Sequence, residues 1–190
     1  YVDAHVLKAL ALMRNQKFEN AINKLEDAFL YPENLEVGKS LNDDRNAMIY
    51  YFMAENYKRL HKVKKARECY RRSVQAKNGY GWEDLIYYQA KSFKELGEPQ
   101  KADELFKALI EKGKLLIEKG SGNTGIAVEN ASVNENKHIS EGYYLQALGN
   151  IGLGNIEKAK ALLLKATDEY KNNLWAGYYF NKLSTEQQTD

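Results

Sequence analysis

Apolar residues along most of this chain recur every three or four positions, the spacing that lines one face of an α-helix. The stretch from Ala21 to Phe29 shows the pattern clearly. Two stretches, 31–44 and 120–137, lack a sustained apolar period, so we interpret them as insertions. The pattern predicts nine helices, with approximate bounds 3–15, 18–30, 45–60, 63–76, 83–96, 99–119, 139–153, 156–170 and 173–183.

Pairs of alanines twelve residues apart occur at four places in the chain. The pairs are Ala9 and Ala21, Ala54 and Ala66, Ala90 and Ala102, and Ala147 and Ala159. Helices approach to about 8–10 Å where the side chains at the crossing are small, and alanine is both small and the best helix former. Each pair therefore predicts two helices that are joined by a tight turn and packed against each other. Recurrence of one unit indicates a helical-repeat fold.

The repeating unit resembles the tetratricopeptide repeat, a helix-turn-helix of about 34 residues. The third unit matches best, through Ala90, Phe93, Leu96, Gly97, Ala102 and Phe106. The second unit supplies Tyr50, Ala54, Tyr57, Leu60, Ala66 and Tyr70, and the fourth supplies Tyr143, Ala147, Leu153, Gly154, Ala159 and Leu163. The first unit departs from the pattern, because Gln16 stands where glycine is usual and Lys8 where leucine is usual.

This resemblance implies an all-α fold, a right-handed helical-repeat solenoid of about four helix pairs with a C-terminal capping helix. We expect a single domain over residues 1–190. Its repeats are expected near 3–30, 45–77, 83–119 and 139–171, with the cap at 173–183.

A narrower resemblance links the chain to the C-terminal repeat region of large multidomain proteins that are common in Bacteroidetes and carry a β-rich N-terminal domain. Its landmarks are Tyr31 to Lys39, Ile49 to Tyr51, Leu85 to Ala90 and Leu145 to Gly154. The resemblance implies a fragment of a longer protein of the bacterial cytoplasm or periplasm, with a link to carbohydrate metabolism through the missing part. It supplies no catalytic residue, and the chain departs from it at 120–137, where Gly, Asn and Ser replace apolar and aromatic residues.

Charge and composition argue against several classes of partner. The formal net charge of +2 is too small to indicate nucleic acid or an anionic membrane. No apolar run approaches the roughly 18 residues that span a bilayer. We therefore expect a soluble chain that binds neither nucleic acid nor a membrane.

The sequence offers no pattern of catalytic, metal-binding or cofactor-binding residues. His5, His61 and His138 lie in separate repeats without ligand spacing, and Cys69 is the only cysteine. Gly120 to Gly125 spells the glycine pattern of dinucleotide sites, but it follows a predicted helix rather than a strand, so we interpret it as a connector. We predict no metal, no cofactor and no enzymatic activity.

Two sets of side chains form the candidate binding groove. Tyr51, Tyr87 and Tyr144 share one slot in three repeats, and the tetratricopeptide resemblance implies that this slot faces the concave groove. The alternative is that these tyrosines pack between helices. Eight basic residues between Lys58 and Arg72 oppose one acid, and they are either a solvated helix face or an anion contact. For the contact we expect Lys58, Arg59, Lys91 and Lys94 around the groove.

These features predict a non-catalytic interaction or scaffold module that binds a partner in its concave groove. The expected partner is a protein or peptide, including the parent protein's own N-terminal domain, and a carbohydrate is a further candidate. The alternative function is an accessory C-terminal part of a carbohydrate-active enzyme that packs on, or lines, its active site.

Overall fold

The computed structural model describes residues 1–30, 45–77, 83–120 and 131–186. The described residues are all-helical, with no strand, as the sequence predicts. Except for the start of the seventh helix, the predicted bounds are confirmed to within three residues. The helices are α1 (Val2–Arg14), α2 (Phe18–Asp27), α3 (Asn46–Arg59), α4 (Val63–Gln75), α5 (Leu85–Glu95), α6 (Pro99–Gly120), α7 (Ala131–Gly152), α8 (Ile156–Glu169) and α9 (Leu174–Glu186).

The chain divides into two compact units, Tyr1–Ala102 and Asp103–Asp190. In the first unit α1 packs on α2 and α3 on α4, while α5 contacts both α3 and α4. In the second unit α7 packs on α8, and α9 packs on α8. The single domain expected over residues 1–190 stays a prediction.

All eight alanines of the four pairs are buried. Their exposed fractions are at most a few per cent, as expected for small residues in a closely packed interior. The members of the set are Ala9, Ala21, Ala54, Ala66, Ala90, Ala102, Ala147 and Ala159. The alanine spacing therefore identified buried positions correctly.

The seventh helix starts earlier than predicted, inside the stretch 120–137 that we interpret as an insertion, and the insertion itself stays a prediction. Helix α7 begins at Ala131 rather than near Ile139, so residues 131–137 are helical. The side chains of residues 135–138 are exposed, and a solvent-exposed stretch carries no apolar period for a sequence pattern to detect. The predicted insertion at 31–44 and residues 121–130 lie outside the described residues.

Glycines bring α6 and α7 into backbone contact within the second unit. A Cβ atom on Gly142 would lie 2.6 Å from the carbonyl oxygen of Gly113, and one on Gly113 would lie 2.4 Å from that of Gly142. A Cβ on Gly149 would lie 2.5 Å from the carbonyl oxygen of Phe106. This crossing accepts no side chain at these positions.

We expect Gly142→Ala to lower the free energy of unfolding by about 1–3 kcal/mol, because the added methyl group overpacks the α6–α7 crossing. The matched control is Gly177→Ala in α9, where an added Cβ meets nothing within 4 Å. That control is expected to be neutral or to stabilise by up to about 1 kcal/mol, since alanine is the better helix former. Urea unfolding of both variants is the measurement, and equal stabilities would contradict the crossing.

The turn inside each helix pair closes in the same way in all four pairs. Its central residue has a positive φ: 57° at Gln16, 57° at His61, 88° at Gly97 and 82° at Gly154. The next amide donates a hydrogen bond to the carbonyl oxygen five residues earlier, as from Lys62 to Tyr57 at 2.8 Å. This is the left-handed helix end at which glycine is preferred.

Exchanges at these turns should change stability in opposite directions. His61→Gly is expected to raise the free energy of unfolding by about 1 kcal/mol, because it removes a side chain from the left-handed region. Gly154→Ala is expected to lower it by about the same amount. Thermal melts of the two variants measure this, and a shift of the same sign in both would be inconsistent with the turn geometry.

A buried arginine joins three helices of the first unit at their N-terminal ends. Arg45 directly precedes α3, and its guanidinium Nη1 lies 2.8 Å from Oδ2 of Asp84, which directly precedes α5. Its Nε lies 3.3 Å from Oδ1 of Asp3 in the first turn of α1. Arg45 and Asp84 are both buried, so this ion-paired group fixes the starts of α1, α3 and α5 relative to one another.

Candidate functional site

The three tyrosines of the predicted groove are buried. Their exposed fractions are 4% for Tyr51, 2% for Tyr87 and 2% for Tyr144. The ring of Tyr51 packs against Tyr70 and Tyr88, with centroids 6.2 and 5.8 Å apart. The expectation that these rings offer open faces is therefore wrong. The alternative, that they are packing residues between helices, fits their burial. Neighbouring helices enclose the position that these tyrosines share, and the spacing of residues along one helix cannot predict such enclosure.

A lysine covers two of these tyrosines in the first unit. The Nζ atom of Lys91 lies 4.7 Å from the ring centroid of Tyr51 and 5.5 Å from that of Tyr87. An ammonium group over an aromatic face is attracted by the ring's electron density. The structure thus brings together three of the predicted groove residues, with the lysine stacked on the two rings. Tyr144 belongs to the second unit, where it packs near Tyr179 of α9.

Two tyrosine hydroxyls of the first unit resist ionisation. Burial raises the pKa of Tyr51 well above its usual value, and the nearby charge of Glu55 adds to the effect. Burial also raises the pKa of Tyr70, whose hydroxyl donates a hydrogen bond of 2.5 Å to Oε1 of Glu55. Both groups therefore stay protonated in the folded chain at a pH where an unfolded tyrosine ionises.

Stability should consequently fall as the pH rises above about 10, the pKa of an unfolded tyrosine. Above that pH the unfolded chain loses the phenolic protons while the folded chain keeps them, so each such group lowers the unfolding free energy by about 1.4 kcal/mol per pH unit. Tyr51→Phe removes one of these groups. Its unfolding free energy is expected to fall less steeply with pH than that of the parent, in denaturant titrations between about pH 9 and 11.5. Identical slopes would contradict the assignment.

A solvent-open cleft of about 480 Å³ lies where α3 and α5 end and α4 begins. Its lining combines an apolar part with a charged rim, and the residues are Lys58, Val63, Ala66, Arg67, Tyr70, Glu95, Leu96 and Gly97. Val63 is 72% exposed, so its side chain is accessible from solvent. All of these residues belong to the first unit.

An ion pair occupies the rim of this cleft. Lys58 Nζ in the last turn of α3 lies 2.6 Å from Oε2 of Glu95 at the end of α5. The hydrogen bond to Glu95 raises the pKa of the lysine. Both partners are partly exposed, so the contact is worth little in stability and is easily exchanged for another partner.

The remaining predicted site residues lie near the same helix ends. Arg59 and Lys94 belong to the last turns of α3 and α5, and both are exposed. Whether they contact a partner stays a prediction. Sequence reasoning missed Val63 and Glu95 as lining residues. An isolated valine within an otherwise basic stretch was the available signal, whereas nothing in the sequence indicated that Glu95 lies beside Lys58.

The described part of the chain shows neither a cluster of metal-ligand side chains nor a membrane-spanning helix. Within residues 1–30, 45–77, 83–120 and 131–186, no three or more His, Cys, Asp or Glu side chains group together as metal ligands would. No helix in these ranges combines the length and the apolarity that a membrane crossing needs.

Comparison with known families identifies the repeat. Residues 47–80 and 84–112 each match a family model described as tetratricopeptide repeat. These two ranges cover nearly all of the second helix pair and most of the third, so this part of the chain matches the tetratricopeptide repeat. No curated protein matches the chain.

Several solved structures are similar at low identity. The TPR2AB domain of yeast Sti1 in its pHSP90 complex is 17% identical, covers 100% of this chain and 72% of its own, and has a TM-score of 0.37. YrrB, described as a TPR protein with an unusual peptide-binding site, is 21% identical, with coverages of 92% and 89% and a TM-score of 0.33. The first TPR of Spaghetti (RPAP3) bound to the HSP90 peptide SRMEEVD is 17% identical, with coverages of 77% and 97% and a TM-score of 0.29. TM-scores this low support no structural conclusion, so the repeat assignment depends on the family models and the helix pairs.

Proposed function

We propose that this chain is a non-catalytic interaction module that binds a peptide segment of a partner in the cleft at the ends of α3 and α5. The observation that carries the proposal is the cleft itself, at about 480 Å³. Ligand pockets commonly enclose about 300–1,000 Å³ and combine an apolar lining with a few polar groups. Val63, Ala66 and Leu96 supply the apolar lining, and Lys58, Arg67 and Glu95 supply the charged rim.

A peptide suits this cleft better than a carbohydrate does. Sugar rings are held by stacking on open aromatic faces, and the tyrosines of the predicted groove are buried. The cleft instead offers aliphatic side chains together with one positive and one negative charge, those of the Lys58–Glu95 ion pair. Among the described residues, no feature supports the alternative role as an accessory part of a carbohydrate-active enzyme. The peptide belongs either to a separate protein or to another domain of the same longer chain.

The chemistry of the cleft supports a binding role rather than catalysis. A general acid or base works best with a pKa near the ambient pH, but Lys58 and Tyr70 both have raised pKa values. Cys69, a neighbour of Tyr70 in sequence, is held as a thiol because burial raises its pKa to about 11. None of these three groups is poised to transfer a proton or attack a substrate at neutral pH.

Peptide selection tests the proposal directly. A displayed library of random dodecapeptides is selected on the parent chain. Isothermal calorimetry then measures the affinities of the enriched peptides for the parent and for Val63→Glu. We expect this variant to weaken binding by about tenfold or more, because the bound peptide would bury the introduced carboxylate against an apolar side chain without a partner. Val63 is exposed at the start of α4, where an acid favours the helix, so the fold should persist.

Leu164→Glu is the matched control for this experiment. Leu164 is also an exposed apolar residue, on α8 of the second unit, and it does not line the cleft. Its variant should bind the selected peptides as the parent does. Failure to enrich any peptide, or equal affinities for parent and Val63→Glu, would refute the cleft as the binding site.

A further inference from the structure

Three basic side chains form a stripe along α4 whose middle member lines the cleft. Lys64, Arg67 and Arg71 are separated by three and four residues, so they lie on one face of the helix. All three are exposed, and Arg67 itself lines the cleft. We refer to Lys64, Arg67 and Arg71 as the basic stripe.

The basic stripe differs from the basic residues around it in its lack of acidic partners. Lys62 Nζ lies 3.1 Å from Oε1 of Glu19, and Arg72 Nε lies 3.2 Å from Oε1 of Glu68. Lys65 lies over the ring of Tyr57, with its Nζ 5.5 Å from the centroid. Within the described ranges, by contrast, no carboxylate pairs with a member of the stripe.

This arrangement is unfavourable for the isolated helix. Like charges three or four residues apart repel each other, and a lysine in the first turn opposes the positive end of the helix dipole. No acid lies in the first turn of α4 to offset Lys64. An anionic partner along the stripe would relieve both the repulsion and the opposition to the helix dipole. A helix face that only contacts solvent has no use for such an arrangement of charges.

We propose that the occupant of the cleft is an acidic peptide segment that inserts one apolar side chain beside Val63 and lays its carboxylates along the basic stripe. This inference rests on the proposed function and adds the chemistry of the partner. The stripe residues are spaced by about 4.5 and 6 Å along the helix axis. Side chains on one side of an extended peptide recur about every 6.6 Å. The peptide therefore carries acids at alternate positions next to its apolar residue.

The cleft's own acid competes with such a peptide. Glu95 holds Lys58 at 2.6 Å and adds negative charge to the rim that the peptide approaches. Removing this charge frees the lysine for a peptide carboxylate and removes a repulsion. Charge changes at Glu95 and at the stripe should thus shift the affinity in opposite directions, a pattern that a purely apolar cleft would not produce.

The test uses a fluorescein-labelled nonapeptide, Glu-Ser-Glu-Ser-Leu-Ser-Glu-Ser-Glu, whose symmetry suits either chain direction. Its binding to the intact chain is followed by fluorescence anisotropy at low salt. One comparison peptide replaces every glutamate with glutamine, and the other replaces leucine with serine. We expect both replacements to weaken binding by about tenfold or more, which corresponds to about 1.4 kcal/mol. Binding should also fall at about 0.5 M salt, where exposed charges are screened.

The protein variants distinguish the effect of the basic stripe on affinity from the effect of the chain's net charge. The double variant Arg67→Glu, Arg71→Glu should lower the affinity for the nonapeptide by about tenfold or more. Glu95→Gln should raise that affinity by about two- to fivefold. Lys107→Glu combined with Lys158→Glu changes the net charge equally at exposed positions of the second unit that do not line the cleft. That control should change the affinity by less than about twofold. Circular dichroism verifies that each variant is folded.

Several results would overturn the inference. The first is that the parent chain does not bind the nonapeptide, and the second is that the glutamine peptide binds equally well. The third is that the serine peptide binds equally well, which would show that the chain attracts anions without recognising the apolar residue. An unchanged affinity in the stripe variant would also overturn it. If library selection still enriches neutral or basic peptides that depend on Val63, the proposed function stands while the acidic partner is refuted.

Discussion

The close crossing of paired helices at small residues is the constraint on which the rest of this structure depends. Ala9 and Ala21, like Ala54 and Ala66, are buried, and the two helices that carry each pair pack against each other. A larger side chain at such a position has to displace a neighbour that is already closely packed. In the second unit the same demand becomes stricter, since Gly113 and Gly142 bring two helix backbones together.

The cleft is a consequence of this pairing and of the tight turns that accompany it. Each turn reverses the chain within a few residues, through a left-handed residue such as His61 or Gly97. The end of α3 and the start of α4 are thereby held together, with the end of α5 beside them. The side chains at these three helix ends leave an opening of about 480 Å³ between them. Val63 and Leu96 are left lining an opening instead of a core.

The sequence was sufficient for features that depend on one helix pair. Alanine spacing and the turn residues predicted the helix bounds because a repeat imposes the same local demand each time. The start of helix α7 was predicted too late, since its residues 135–138 are exposed and carry no apolar period. A polar stretch of this kind is compatible with both a loop and a solvated helix.

Features that depend on several helices were not predictable in the same way. The slot of Tyr51 was identified, but its burial is decided by Tyr70 of α4 and Tyr88 of α5. The cleft was missed for the same reason, because its lining comes from three separate segments. The positive charge of the basic run was visible in the sequence. Which of its members are neutralised, as Lys62 is by Glu19 of α2, depended on contacts between repeats.

The two ends of the first unit's helices are held with different strength, and this difference favours the cleft end as the place where a partner binds. At the N-terminal ends, Arg45 is buried between Asp3 and Asp84, and loss of one partner would leave a buried charge uncompensated, at a cost of about 3–5 kcal/mol. At the opposite ends, Lys58 and Glu95 form a partly exposed pair worth about 0–1 kcal/mol. A partner can therefore exchange contacts at the cleft at little cost, while the buried arginine keeps α3 and α5 in register.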